Sequence, residues 1–510
     1  MRYQLPLLLS LLLAAPVLRA QELIRSEQER KKSRNLDMFV LGGDASGFYV
    51  GFAEDYYYQG TKNKTVVARY GPDLAKEEAR VLETADRKDN IFYTFYFGGQ
   101  IHTLVATDGS PEVGNVQLQS YDKDLEKDDA RPLTMLLPGL FSFSPANYMR
   151  AYFSSQYGQM RFSKLVSHRV SPDGKRLLLL FNYQYLGLGQ GGYHAVLLDE
   201  NLEKTWEQTL LLPDEAQFNL LEDATLDDAG RVYLLVEQFS NDKFRKTPTG
   251  FDYRLYRYQE GNETLQMMPF DAAGRFVTNL GLTLSANQEP LLGGIHADPV
   301  SMEPAGAVGI RFAGGKGTVV TSDFDGATAA DLRSKRDARS NAPEYTIKHL
   351  FAEPDGGVTF FAESYYRGPV LTASINILTG VNPDVEIGDI YAKTAAVRLG
   401  PDLKPRWTQV IEKRQQSTED RDLYSSFVVL RDAEGYHVLW NDRIRSSTDV
   451  EAAHITPDGK MRTETLLDSS DDHLRLVPPL AAHVPGLGLI IPTERSSSTQ
   501  VLLRLVPSAP

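Results

Sequence analysis

Seven polar residues of this 510-residue sequence stand where apolar runs stop: Glu54, Asn182, Glu237, His296, Glu363, Asn441 and Glu494. Aromatic or basic residues follow them, namely Tyr56, Tyr57 and Tyr58, then Tyr183 and Tyr185, Phe239, then Tyr365, Tyr366 and Arg367, and finally Arg443 and Arg495. Two kinds of chemistry suit such a set. Glu54, Glu237, Glu363 and His296 could serve as general acid and base if the fold brings them to one pocket, and carboxylates about 5 to 9 Å apart would favour glycoside hydrolysis. Tyrosines with interspersed charge suit non-covalent recognition of a protein, peptide or glycan, because each ring offers an apolar face and a hydroxyl. A structural reading stands beside both: a strand-end carboxylate is solvated or hydrogen-bonds the next unit, and the tyrosines fill the joint. The sequence assigns none of them a catalytic role.

Other motifs are weaker. GLGQGG (Gly187 to Gly192) has the glycine spacing of a dinucleotide loop, but it joins two strand-like runs, with no helix N-terminus to meet a phosphate. AGGKGT near Gly314 lacks phosphate-loop spacing, and the H-E-x-x-H and G-x-S-x-G patterns are missing. The nine histidines, His168, His194, His296 and His349 among them, are scattered singly, so a metal site would have to be assembled across units. No metal or cofactor is expected. DFDG (Asp323 to Gly326) reads as a turn, since the remaining positions of a calcium loop do not follow. Asn63 in NKT and Asn262 in NET match the glycosylation acceptor, which matters only in a eukaryotic secretory route.

The elements that must position these residues come from a repeat. FAEDYYYQG (Phe52 to Gly60) and FAESYYRGP (Phe361 to Pro369) are nearly one phrase. Each follows a hairpin signal in which Asp-Gly or a similar turn joins two apolar runs, as in LGGDASGFYVGF and AEPDGGVTFFAE, with RVSPDGKRLLLLF and TLDDAGRVYLLVE elsewhere. A second strand pair follows, as in VVARYGPDLAKEEARVLE and AAVRLGPDLKPRWTQVIE. Such units begin near Asp37, Asn90, Ser163, Leu220, Val277, Thr346, Tyr424 and His473. The last shows only three strands, so residues near Glu22 to Ser26 are expected to supply its outer strand. Repeated four-stranded antiparallel units with their edges hidden by closure form an all-β propeller. Eight blades are expected, or seven if a weak unit is an insertion.

SPDGKRLLLLF (Ser171 to Phe181) resembles the inner hairpin of the TolB-like, WD40-like propeller repeats of bacterial periplasmic proteins, and TPDGKMR at Thr456 reads as an outer hairpin. The resemblance implies propeller architecture and no particular activity. The Ser-x-Asp-x-Gly-x-x-Trp box of sialidases and the regular Gly-His and Trp-Asp pairs of WD40 repeats are not found.

The chain opens with an apolar run from Leu5 to about Val17 and reaches Ala20-Gln21, the pattern of a secretory signal cut after Ala20. The expected layout is a signal at 1–20, an N-terminal arm and closing strand at 21–36, and a propeller at 37–510 with insertions near 138–162 and 326–345. In the first insertion SPANYMRAYFSSQYGQMRF can form an amphipathic, partner-binding helix. The absence of cysteine fits export to a bacterial-type periplasm, cell surface or medium, with stability from a large core. A net charge of −13 argues against a nucleic-acid partner, and RSEQERKKSR (Arg25 to Arg34) reads as a solvated arm. No second apolar run is long enough to span a membrane.

Overall fold

The computed structural model describes residues 23–30, 36–54, 64–86, 89–107, 114–136, 166–182, 192–212, 218–240, 246–333, 344–376, 380–417, 423–444, 448–468, 473–496 and 499–507. They form eight antiparallel sheets in a ring, a β-propeller. Blades 1 to 8 span 36–83, 90–136, 166–211, 218–268, 276–323, 344–411, 427–467 and 475–505. Each blade begins within three residues of the start read from the sequence.

The first strands of blades 1 and 2, 3 and 4, 4 and 5, and 5 and 6 lie against one another, which puts the first strands nearest the axis. Fourth strands face outward, and in Lys76–Glu83 only Leu82 is buried. Middle strands are covered on both sides, so they need apolar residues at every position rather than every other one. The run LLLLF shows why: Leu177, Leu179 and Phe181 enter the cluster shared with blade 2, while Leu178 and Leu180 enter the cluster shared with blade 4. Each of the eight junctions holds such an apolar cluster, so the core is distributed around the ring. The side of the ring carrying the hairpins between first and second strands adds polar ties. Arg169 reaches Asp223 and the Ala224 carbonyl, Arg311 the Gly356 and Pro401 carbonyls, and Arg431 Glu353 and the Ala352 carbonyl.

Closure comes from the N-terminal strand Leu23–Arg25, which pairs with the last strand of blade 8 in the register Leu23 to Leu505. Ser26 extends the joint, donating its N–H to the Leu502 carbonyl at 3.0 Å and accepting the Leu502 N–H on Oγ at 2.9 Å. Glu29 then accepts from Tyr70 and, at 3.0 Å, from Lys76, both in blade 1. The N-terminal segment therefore supplies the outer strand of blade 8 and ties it to blade 1.

Two features depart from a plain ring. The second and third strands of blade 6 run to 19 and 20 residues and stay paired from Tyr365 opposite Tyr391 out to Asn376 opposite Gly380. After blade 5, a short helix, Gly326–Leu332, is capped by Asp325, whose side chain accepts the Thr328 N–H. Residues 1–22 and 137–165, which carry the expected signal and first insertion, lie outside the described residues. No helix among the described residues is long and apolar enough to cross a membrane.

Candidate functional site

The ladder puts the strand-end residues on one rung of their blades. Glu54 stands opposite Leu36, Glu237 opposite Leu220, His296 opposite Val277, Glu363 opposite Thr346 and Glu494 opposite Arg475. Asn182 and Asn441 end the second strands of blades 3 and 7, opposite Tyr193 and Val450. Because all blades share one strand order, these ends lie on one side of the ring, here called the strand-end side. One or two residues beyond this rung the first strands of blades 4, 5 and 6 bulge, leaving Glu222, Thr278 and Lys348 without a ladder partner, and the first strands of blades 1 and 2 bulge at Leu41 and Phe92. A bulge bends the strand and turns the extra residue out of the sheet.

In blades 6 to 8 the strand-end residues join into one buried polar chain. Glu363 has no exposed surface. Its Oε1 accepts from Lys413, Oε2 accepts from Ser426 at 2.8 Å, and Lys348 of the bulge stands 3.5 Å away. Burial acts to raise the Glu363 carboxyl, but Lys413 and Lys348 beside it hold it below the usual carboxylate range. Burial pushes Lys413 down in turn, with Glu363 opposing. Lys413 also donates to Gln415 Oε1 at 3.0 Å, and Gln415 donates to the carbonyls of Ser426 and Asn441. The Asn441 amide donates to the carbonyls of Tyr424 and Leu476 at 2.8 and 2.9 Å and accepts the Leu476 N–H at 2.9 Å. Glu494 closes the chain, accepting from Tyr424 and, at 3.2 Å, from Arg475, whose guanidinium lies 4.1 Å from the Tyr424 ring centroid.

Glu237 belongs to a separate joint. It accepts from Tyr253 at 2.8 Å and pairs with Lys246 at 2.6 Å, and Lys246 also donates to the carbonyl of bulged Thr278 in blade 5 at 2.7 Å. A carbonyl released from the ladder by the bulge is thereby satisfied from the neighbouring blade. His296 is fully buried, with Nε2 3.5 Å from Asp323, and Asp323 is held by Arg275. Burial first, and then the nearby Arg275 charge, lower its pKa, so the ring is neutral at neutral pH.

The remaining expected residues divide. Tyr56, Tyr57, Tyr58, Tyr183 and Tyr185 lie outside the described residues, as do the side chains of Glu54, Asn182 and Arg367. Tyr365 and Tyr366 are half-buried at the base of the long hairpin, where the Tyr365 hydroxyl donates to Asp389 at 2.5 Å. Arg443 and Arg495 are exposed. Phe239 is buried and lines a cleft of about 660 Å³ between blades 4 and 5. Sequence reasoning missed the partner residues Lys246, Lys413, Gln415, Ser426 and Tyr424, along with the cleft. The only available signal was that a polar residue closing an apolar run needs a partner. Among the described residues no three histidine, aspartate or glutamate side chains gather as metal ligands.

No protein-family model and no curated protein matches this chain. Solved propellers do. The WD40 domain of SCAP from fission yeast is 8% identical over 95% of this chain and 99% of that one, with a TM-score of 0.41. The periplasmic gluconolactonase of Pseudomonas aeruginosa is 13% identical over 75% of this chain and 99% of that one, with a TM-score of 0.31. A prolyl endopeptidase is 10% identical over 84% of this chain, which spans 56% of its length, with a TM-score of 0.33. The chain is an eight-bladed β-propeller, and the likeness to these solved structures stops at that architecture.

Proposed function

We propose that this chain is an exported binding or scaffold protein that presents the strand-end side of its ring to a protein, peptide or glycan. The observation that carries the reading is the fate of the strand-end charges. Glu237, Glu363 and Glu494 are each neutralised by a lysine or arginine from their own stretch of chain, and Lys246, Ser426 and Tyr424 carry these sites to the next blade, so the surface left for a partner is the loops and cleft beyond them. A hydrolase or lyase working on polysaccharide or peptide from the same side would need an acid and a base in reach of substrate, and Glu363 is closed off from any. Export rests on the N-terminal apolar run. A cut after Ala20 keeps the closing strand Leu23–Arg25 in the mature chain, and N-terminal sequencing of secreted protein checks that site.

The chain has no cysteine, so single cysteines carry labels cleanly. A bulky polymer attached at R443C or R495C covers the strand-end side, and one attached at K175C or K460C covers the opposite side. Binding to glycan and peptide arrays should be blocked by the first pair and kept by the second. The reverse pattern, or release of cleaved product from the arrayed ligands, would contradict the proposal.

A further inference from the structure

The cleft between blades 4 and 5 says which partner chemistry the strand-end side takes, an inference that rests on the binding reading above. Its floor is a packed aromatic group. The Phe251 ring lies 5.0 Å from Phe239 and 6.4 Å edge-on from Phe276 between centroids, and none of the three is more than 9% exposed. Rings packed in this way leave no open face on which a sugar could stack, so the floor suits an inserted apolar side chain better than a glycan. Pro248, Ala272 and Pro299 add aliphatic wall. Beside Pro299, Val300 is 92% exposed, more than any other large apolar residue described. It is held there by a made turn: the Asp298 carboxylate accepts the N–H groups of Val300 and Ser301 at 3.0 and 2.7 Å, and the Asp298 carbonyl accepts that of Met302 at 2.8 Å.

The charges around this floor are unequal. Arg275 is engaged by Asp323 through both guanidinium nitrogens, at 3.1 and 3.2 Å, and Asp252 is engaged by Arg254 at 2.8 Å. Asp271 accepts the Ala273 N–H at 2.8 Å and meets no cation among the described residues. The Asp298 carboxylate on the rim is likewise held by N–H groups and lies below the usual carboxylate range. The Arg333 charge also acts on Asp298, so Asp271 is the carboxylate left without a cation among the described residues around this apolar cleft. We infer that the cleft binds an extended segment of a partner protein. An apolar side chain enters against Phe251 and Phe276, a neighbouring lysine or arginine pairs with Asp271, and Val300 packs on the segment from the rim. Anchoring pockets with a polar, charge-complementary rim recognise peptides in this way.

The probe is a phage-displayed library of random peptides panned on the mature chain, with affinities then measured for wild type, Val300→Asp and Asp271→Lys. Both positions are on the surface, and unchanged melting temperatures confirm that the variants fold. Selected peptides should carry an apolar residue beside a lysine or arginine and bind each variant about tenfold or more weakly, a loss near 1.4 kcal/mol. Salt should weaken wild-type binding more than binding to Asp271→Lys. The inference is overturned if no peptide is enriched over an unrelated protein, or if selected peptides bind both variants as they bind wild type. Arrayed glycans lost in Val300→Asp would also overturn it, by giving the cleft to a sugar. If polymer at R443C or R495C blocks binding that Val300→Asp leaves intact, the strand-end reading stands and the cleft assignment falls.

Discussion

Glu363 and Lys413 share one buried space, and neither charge can be left there alone. Glu363→Gln keeps the shape and removes the counter-charge, so the loss of stability should be about 3–5 kcal/mol. Urea unfolding checks this as a lower midpoint at constant slope. Replacing both groups together, by leucine and methionine, should recover most of the loss, because a buried pair costs desolvation that apolar side chains do not. A double variant as unstable as Glu363→Gln would contradict the pairing. His102 carries a second prediction. Its Nε2 stands 3.0 Å from the Phe97 carbonyl and must be the donor, which leaves Nδ1 to accept from Ser120 Oγ at 2.9 Å. Burial pushes this imidazole from 6.5 down to about 4. Below 6.5 the unfolded chain takes up a proton that the folded ring refuses until about 4, so stability is lost as pH falls through that window and is flat above it. The melting temperature against pH should follow this course, with a shallower slope in His102→Gln. At this scale the sequence was half legible. A polar residue closing an apolar run marks itself, but Lys413 lies 50 residues beyond Glu363 and nothing in one sequence links the two.

Turns and bulges shape the blades more than strand propensity does. Leu74, Leu125, Leu202 and Leu403 all sit in hairpins between third and fourth strands with φ between 59° and 66°, where a side chain is disfavoured. A left-handed leucine costs about 1–2 kcal/mol. Each is nonetheless at most 8% exposed, and burying a leucine contributes about 1.5–3 kcal/mol, so the core sets the turn. Leu403→Gly should therefore destabilise despite relieving the backbone, and by less than Leu399→Ala in the adjacent strand, for which about 2–5 kcal/mol is expected. A Leu403→Gly protein that melts higher than wild type would refute the argument. Hairpin positions were readable because Asp-Gly turns are local. The long hairpin of blade 6 was not, because Arg367-Gly368-Pro369 reads as a stop. Pro369 sits instead on a strand that, among the described residues, pairs there on one side only, with Ile387, because the first strand of the blade begins at Glu344, opposite Tyr365. Proline is tolerated on such an edge because its missing N–H costs no ladder bond. The first-strand bulges were also invisible, since one extra residue in a strand leaves no mark in composition.

Across the whole molecule, stability is shared around a circle, and the circle has one seam. Blades 1 to 7 draw all four strands from continuous sequence, while blade 8 takes its outer strand from the N-terminus. A chain beginning at residue 31 would lose that strand, the Ser26 hydrogen bonds and the Glu29 contacts to blade 1 together. It should melt lower than a chain that keeps residues 21–30, with the earliest hydrogen exchange in the last strand of blade 8, Thr499–Leu505. The ring was legible from the repeat, because the last unit shows one strand too few and the N-terminal segment can supply it, although the repeat alone also allowed seven blades. How the blades bond to one another at their strand ends was not, since that depends on which side chains the circle brings face to face. Closure is also what makes a shared strand-end side exist at all, so the seam is the place to test it. L23C and L505C together place the two new thiols on directly paired residues in a chain with no other cysteine. Mild oxidation of the folded protein should join them, shown by faster migration on a non-reducing gel and a higher melting temperature than the reduced form. Thiols that stay free until denaturant is added would show that the ring does not close at this strand.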